Sequence, residues 1–182
     1  NTEPYLKTPA WKHAKHRIVW LLVLMLSASI TGAIISKYEA AFAAVPLLVS
    51  FIPMIMDTGG NCGSQSSTLI IRGLAVDELR FADTARIIWM ELRVALLVGL
   101  GLAVADSAFI MLRYNDLRLA GVVSAAMLCT VVCAKVTGGL LPIAAKRLGL
   151  DPALMAAPLI TTVVDTVAMF IYFTIASAVF AI

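Results

Sequence analysis

Long apolar runs alternate with short polar breaks along the chain. Residues 18–35 are apolar apart from Ser, Thr and Gly, and a second apolar run covers residues 42–71. Further runs lie at residues 87–111, 119–145 and 153–182. A helix of about 20 apolar residues crosses the hydrocarbon core of a bilayer. The pattern therefore predicts an all-α membrane protein with five transmembrane helices.

The second run differs from the others because polar and helix-breaking residues stand inside it. Pro46 and Pro53 precede Asp57, and a glycine-rich string that contains Asn61 follows. Proline removes a helical hydrogen bond, and glycine lowers helix stability. Irregular backbone at membrane depth is tolerated only where it is buried in protein or lines a watery cavity. We therefore predict that the second helix is broken or kinked within residues 42–71, and that the glycines let carbonyl groups of the string face a cavity.

The composition agrees with a membrane protein. Hydrophobic residues make up 61% of the chain and charged residues 14%, and the mean hydropathy is +0.95. Soluble domains are about 45–50% apolar and about 25% charged. The net charge of +3 is not collected in a basic arm, which argues against a nucleic-acid partner. Cys62, Cys129 and Cys133 lie in apolar surroundings and are interpreted as reduced packing residues.

The distribution of basic residues predicts the orientation, because cytoplasmic loops carry an excess of Lys and Arg. With five spans and a cytoplasmic N-terminus, nine basic residues lie inside: Lys7, Lys12, Lys15, Arg17, Arg72, Arg80, Arg86, Lys146 and Arg147. Three lie outside: Lys37, Arg113 and Arg118. We therefore expect a multi-pass protein of the cell (inner) membrane whose N-terminus is cytoplasmic.

Two acidic residues, Asp57 and Asp165, stand inside the predicted spans. At a rise of 1.5 Å per residue, Asp165 lies about 18 Å along the fifth helix, near the middle of the membrane. An ionised carboxylate at that depth is costly and by default marks a functional site. The alternative is a paired or protonated residue that only holds helices together. The two acids inside predicted spans indicate that the protein moves a cation across the membrane.

The residues around Asp57 indicate which cation. Asn61, Gln65 and several hydroxyl groups follow it within the glycine-rich string. Oxygen ligands of this kind favour Mg²⁺, Ca²⁺ or Mn²⁺. Mg²⁺ is typically held by one or two carboxylates while it keeps several waters, so it is the first candidate, with Mn²⁺ and Ca²⁺ as alternatives. A close helix crossing at Gly59 and Gly63 would explain the glycines but not the acid and amides.

Four other charged residues lie inside the apolar runs: Glu91, Arg93, Asp106 and Lys135. Asp106 lies closer to a membrane face, so a structural role suits it as well as a functional one. Glu91 and Arg93 are two positions apart, so they do not face each other on one helix, and we expect structural roles for them. A lysine beside the path of a divalent cation would repel the ion. Lys135 is therefore expected to lie away from the pore axis.

Two segments carry a family resemblance. Residues 52–75, IPMIMDTGGNCGSQSSTLIIRGLA, closely resemble the second transmembrane helix of MgtE-type magnesium transporters. Residues 141–142, 151–153 and 158–165, the last reading PLITTVVD, resemble the same family. The resemblance covers essentially the whole chain, and the two blocks are long enough to be highly specific.

The resemblance implies a magnesium channel that is a homodimer, with the pore at the two-fold axis between helices two and five. It implies that Asp165 is the magnesium-binding aspartate of helix five and that its two copies bind one hydrated ion. The backbone from Thr58 to Asn61 would supply the contribution of helix two. The expected cation-binding residues are Asp165, Asp57, Thr58, Gly60, Asn61 and Ser64.

Two positions depart from the family pattern. Asp57 stands where some members have glycine, so an extra ring of acid is expected near the path. Ser64 stands where some members have asparagine, which weakens its case as a direct water-binding group.

The resemblance also implies a cytoplasmic regulatory domain in the same protein, joined by a connecting helix. We assign residues 1–17 to the end of that helix and residues 18–182 to the ion-conducting domain. The regulatory domain is expected to be missing from this chain.

Three alternative functions remain at this point. A Na⁺- or H⁺-coupled Mg²⁺ carrier would use the same polar residues and broken helices. An intramembrane aspartyl protease would use Asp57-Thr58-Gly59 as a catalytic triplet with Asp165 as the second acid, although soluble enzymes place that triplet on a β-loop rather than in a membrane helix. A purely structural subunit would use neither acid.

Overall fold

The chain folds into a bundle of helices. The structure, a computed structural model, describes residues 3–182, and of residues 154–156 it describes the backbone alone. Residues 1 and 2 of the predicted N-terminal segment lie outside the described part. Short 3-10 helices occupy Tyr5–Lys7 and Phe81–Asp83. The α-helices are α1 (Ala10–Lys37), α2 (Glu39–Ala44), α3 (Leu47–Ser50), α4 (Ile52–Ala75), α5 (Thr84–Tyr114), α6 (Leu117–Arg147) and α7 (Pro152–Phe180).

Within residues 3–182, four helical segments are long and apolar enough to cross a membrane. They are Ala10–Lys37, Phe81–Tyr114, Leu117–Arg147 and Ala157–Phe180. They correspond to the first, third, fourth and fifth predicted spans, so an all-helical, multi-pass membrane protein is confirmed. The 24-residue helix α4 is more polar and is not among the four. A fifth span, on α4, stays a prediction.

The second apolar run is interrupted at two points. Val45 and Pro46 separate α2 from α3, and Phe51 separates α3 from α4, so both interruptions lie within the predicted run 42–71. From Ile52 onward α4 is continuous through the whole glycine-rich string. The prediction that the glycines let carbonyl groups of the string face a cavity is therefore wrong, because these carbonyl groups accept ordinary helical hydrogen bonds. Pro53 is accommodated because it stands in the first turn of α4, where a missing N–H costs little.

Helix α7 anchors the interrupted segment. The Tyr172 hydroxyl, fully buried, donates a 2.7 Å hydrogen bond to the Leu48 carbonyl oxygen of α3. The neighbouring Phe173 ring packs against Tyr38 and Phe42, with ring centroids 5.0 and 4.7 Å apart. The irregular backbone between α1 and α4 is thus covered by protein, as its unpaired polar groups require in a membrane.

Helix α6 forms the centre of the bundle, with α5, α4 and α7 packed around it. Its buried residues include Val122, Val123, Ala126 and Val131, which face the other three helices. Helix α1 lies at the periphery against α7 and buries little beyond Ser27 and Thr31. Most of α1 therefore presents apolar side chains outward, as expected of a lipid-facing helix.

The loops between the last helices are short and end in capped helices. Asp116 and Asp151 cap α6 and α7, accepting hydrogen bonds of 3.1 and 3.0 Å from the backbone N–H groups of Leu119 and Ala153. Asn115 ends α5 in a left-handed conformation that asparagine tolerates better than most residues. These short turns hold α5, α6 and α7 antiparallel to their chain neighbours.

Candidate functional site: a polar face on α4 beside Asp165

Glycines on one side of α4 let it pack closely against α6 and α7. A Cβ atom on Gly59 would lie 2.7 Å from Val164 Cγ1, and one on Gly63 would lie 2.7 Å from Ile160 Cγ2. A Cβ atom on Gly138 of α6 would collide with the Gly63 carbonyl oxygen. The glycines thus make the close helix crossing that the sequence left open as an alternative.

The opposite side of α4 is polar and accessible. Its exposed polar residues within the glycine-rich string and the turn after it recur every three or four positions, which places them on one face of the helix. They are Asp57, Asn61, Ser64, Gln65 and Thr68. From Asp57 to Thr68 this face extends about 16 Å along the helix axis. A face of this polarity is not compatible with contact to lipid chains.

The register between α4 and α7 brings the two predicted acids to one level. The helices run antiparallel, because Gly59 contacts Val164 and Gly63 contacts Ile160. Asp57, two residues before Gly59, therefore lies beside Asp165, and the charges of the two carboxylates act on each other. In the described part of the chain, neither carboxylate takes part in a hydrogen bond or an ion pair. Pairing between helices, the structural alternative, thus finds no partner in one subunit.

A cavity of about 940 Å³ continues the polar face of α4. Two of the predicted residues, Asn61 and Ser64, line it together with Gln65 and Thr68. Its other polar residues are Ser66 of α4, Glu91 of α5 and Lys135 of α6. The other four predicted residues do not line this cavity. Three of them, Asp57, Thr58 and Gly60, precede Asn61, the first α4 residue that lines it, and Asp165 lies on α7.

Glu91 and Lys135 were not predicted to belong to the site. Glu91 is only 8% exposed, and its Oε2 atom accepts a 2.6 Å hydrogen bond from the Ser66 hydroxyl. Lys135 is 4% exposed and lines the same cavity as Asn61. Its position relative to a pore axis stays a prediction. The sequence signal that could have found both residues is the presence of two opposite charges inside adjacent apolar runs.

Groups of three or more His, Cys, Asp or Glu side chains able to hold a metal ion are not found in residues 3–182 outside positions 154–156. The oxygen groups that one chain offers near Asp165 are instead two carboxylates and the amide and hydroxyl groups of α4. Mg²⁺ is commonly bound by one or two carboxylates while retaining water, so this donor set fits a hydrated ion. The roles of all six expected cation-binding residues as ligands stay predictions.

The fold and this site define a multi-pass membrane protein with an accessible, polar, acid-bearing face on its helical bundle. Residues 52–175 match the MgtE family, described as a divalent cation transporter. The chain belongs to this family, and the resemblance inferred from residues 52–75 and 158–165 is confirmed. The family is one of transporters and not of enzymes, so the aspartyl protease interpretation of Asp57-Thr58-Gly59 is not supported.

Individual relatives agree with the family match. The chain is 37% identical over 160 residues to the magnesium transporter MgtE of Thermus thermophilus, a match that covers 88% of this chain and 35% of that protein. It is 34% identical over 171 residues to the magnesium transporter MgtE of Bacillus subtilis, covering 94% of this chain and 38% of the relative. The protein of the same name from Enterococcus faecalis is 34% identical over 166 residues. The chain spans little more than a third of the length of these relatives.

Proposed function

We propose that this chain is the membrane part of a Mg²⁺ transporter and that the ion passes along the polar face of α4 beside Asp165. The observation that carries the proposal is the pair of unpartnered carboxylates, Asp57 and Asp165, at one level of the helical bundle. Carboxylates kept at that depth without a protein partner require water or a cation. The names of the relatives make Mg²⁺ the first candidate for that cation.

The path is completed by a second copy of the chain. One copy leaves the polar face of α4 open, and contact with lipid would leave its polar groups unsatisfied. Two-fold association brings the same face of two copies together and converts an open groove into an enclosed path. Helix α4 then crosses the membrane as one of five spans, and the excess of basic residues on one side favours a cytoplasmic N-terminus in the cell (inner) membrane.

Flux measurements test the proposed function. The protein is reconstituted in liposomes that contain a Mg²⁺-sensitive dye, and the dye signal is followed after addition of external Mg²⁺. A channel should carry Mg²⁺ down its own gradient in the absence of Na⁺ and pH gradients. A strict requirement for either gradient would establish the coupled carrier instead. The absence of any Mg²⁺ flux, with the protein folded and inserted, would reject transport of this ion, and Mn²⁺ and Ca²⁺ in the same assay would define selectivity.

Cross-linking tests the two-fold arrangement. A Ser64→Cys variant, with Cys129 and Cys133 replaced by Ser, should form covalent dimers with a short bifunctional maleimide, because Ser64 lies on the polar face that the second copy covers. Leu97→Cys in the same background is the matched control, since Leu97 is 75% exposed in the apolar part of α5. Equal cross-linking at both positions, measured on denaturing gels, would contradict the arrangement.

Asp57 is expected to increase the affinity of the path for Mg²⁺. Asp57→Asn removes one negative charge that acts on Asp165, so we expect the apparent KM for Mg²⁺ to rise roughly three- to tenfold with little change in the maximal flux. Asp57→Glu retains the charge and should stay close to the unmodified protein. The flux assay at varied Mg²⁺ concentration measures both values, and an unchanged KM in Asp57→Asn would exclude this residue from the path.

A further inference from the structure

Glu91 and Lys135 are buried charges that the proposed path does not yet explain. Burying an isolated ammonium group is costly unless it has a partner. In the described residues Lys135 takes part in no hydrogen bond or ion pair, although it is 4% exposed. Glu91 has the Ser66 hydroxyl as its partner but no basic group within 4 Å in the same part of the chain. Both side chains line the cavity of about 940 Å³, which supplies their polar surroundings.

The helix register places the two charges about one turn apart. Glu91 lies at the level of Gly139 of α6, because a Cβ atom there would be 3.3 Å from Glu91 Cγ. Lys135 precedes Gly139 by four residues, or one helical turn, on the same face of α6. Helix α4 follows the same register, since Ser66 contacts Glu91, and a Cβ atom on Gly63, three residues earlier, would lie 3.4 Å from the carbonyl oxygen of Ala134, the residue before Lys135.

Glu91 also lies where two cavities meet. A second cavity of about 430 Å³ lies at the loop before α5 and shares Met90 and Glu91 with the larger one. The loop cavity contains Glu78 and Asp83 together with Arg86 and Arg93. A cation that moves from the loop to the polar face of α4 through these cavities passes the Glu91 carboxylate.

We propose that Glu91 and Lys135 form a charge-compensated section of the cation path, in which the Lys135 ammonium is the resident counter-ion of Glu91. Conduction requires a site that attracts an ion and still releases it. A single buried carboxylate would retain a divalent cation, and a nearby fixed ammonium weakens that attraction. This role rests on the proposed function, because it assigns the pair to the route of the transported ion.

Neutralising one charge at a time tests the pair. Glu91→Gln leaves Lys135 uncompensated, so we expect Mg²⁺ flux to fall at least about tenfold through repulsion of the ion. Lys135→Met leaves Glu91 uncompensated, so the apparent KM for Mg²⁺ should fall several-fold and monovalent cations should leak through. The double variant Glu91→Gln/Lys135→Met restores the original net charge and should return the flux to within about threefold of the unmodified protein.

Charge can also be added after folding, which separates an electrostatic role from a structural one. Lys135→Cys, with Cys129 and Cys133 replaced by Ser, is first inserted in liposomes and then treated with aminoethyl methanethiosulfonate, which attaches a new ammonium group. The apparent KM should return toward its original value. Treatment with methyl methanethiosulfonate, which adds a neutral group, should leave the KM low.

The outcomes distinguish this inference from the proposed function. Strong Mg²⁺ flux in the unmodified protein, with single and double variants that lose activity additively and show an unchanged KM, would overturn the charge-compensated pair alone. Such a result would make Glu91 and Lys135 packing residues. Absence of Mg²⁺ flux in the unmodified protein would overturn the proposed function and the pair with it.

Discussion

Replacing Asp165 with asparagine is expected to lower Mg²⁺ flux at least about a hundredfold. The substitution preserves the size of the side chain and removes the negative charge that is proposed to bind the ion beside α4. A hundredfold loss corresponds to about 3 kcal/mol, which is modest for one charge acting on a divalent cation in a poorly solvated site. Liposome flux and Mg²⁺-dependent growth of a transport-deficient strain measure the loss.

Asp106→Asn is the matched control for Asp165→Asn. Asp106 is also a half-buried acid on a membrane helix, but it lies on α5 and lines neither cavity. Its neutralisation should leave Mg²⁺ flux within about twofold, because the ion does not pass it. Unchanged flux in Asp165→Asn, with normal expression and elution, would show that the ion takes another route.

Adding a single methyl group at Gly138 should destabilise the bundle. In Gly138→Ala the new Cβ atom meets the carbonyl oxygen, carbonyl carbon and Cα of Gly63. These are backbone atoms and cannot rotate aside, so α4 must move away from α6. We expect the free energy of unfolding to fall by about 1–3 kcal/mol, despite the roughly 1 kcal/mol that alanine gains over glycine in helix propensity.

Gly121→Ala provides the comparison on the same helix. A Cβ atom at Gly121 has nothing within 4 Å, so the substitution should be neutral or slightly stabilising. Thermal unfolding in detergent, followed by loss of the monodisperse elution peak, measures both variants. Equal melting temperatures would show that the close contact between Gly63 and Gly138 does not limit stability. Flux should also fall in Gly138→Ala, since α4 carries the polar face of the path.

Much of the fold was predictable because the spans obey a simple physical rule. A segment inside a bilayer must be apolar and must satisfy its backbone internally, so runs such as residues 87–111 and 119–145 become helices whatever their neighbours are. The helix ends were predictable as well, because they depend on residues close together in the sequence. Asp151 followed by Pro152 is a capping sequence whose geometry depends on a few adjacent residues.

The glycine-rich string shows why the remainder was not predictable. Its glycines have two physical uses, a flexible backbone or a close approach between helices, and the sequence alone does not distinguish them. Contacts from Gly59 and Gly63 to α7, and from Gly63 to Gly138, select the second use. The helix breaks occur instead at Val45–Pro46 and Phe51, where packing from Tyr172 and Phe173 covers the backbone.

For the charged residues too, some properties depend on the local sequence and others on how the helices pack together. The cost of burying a charge in an apolar run is a local property, so the amino-acid sequence was enough to single out Asp57 and Asp165 in a membrane protein. Which charges share a cavity depends on helix register and on contacts between distant segments. For that reason the neighbourhood of Glu91, Lys135 and Asn61 emerged only once α4, α5 and α6 were packed together.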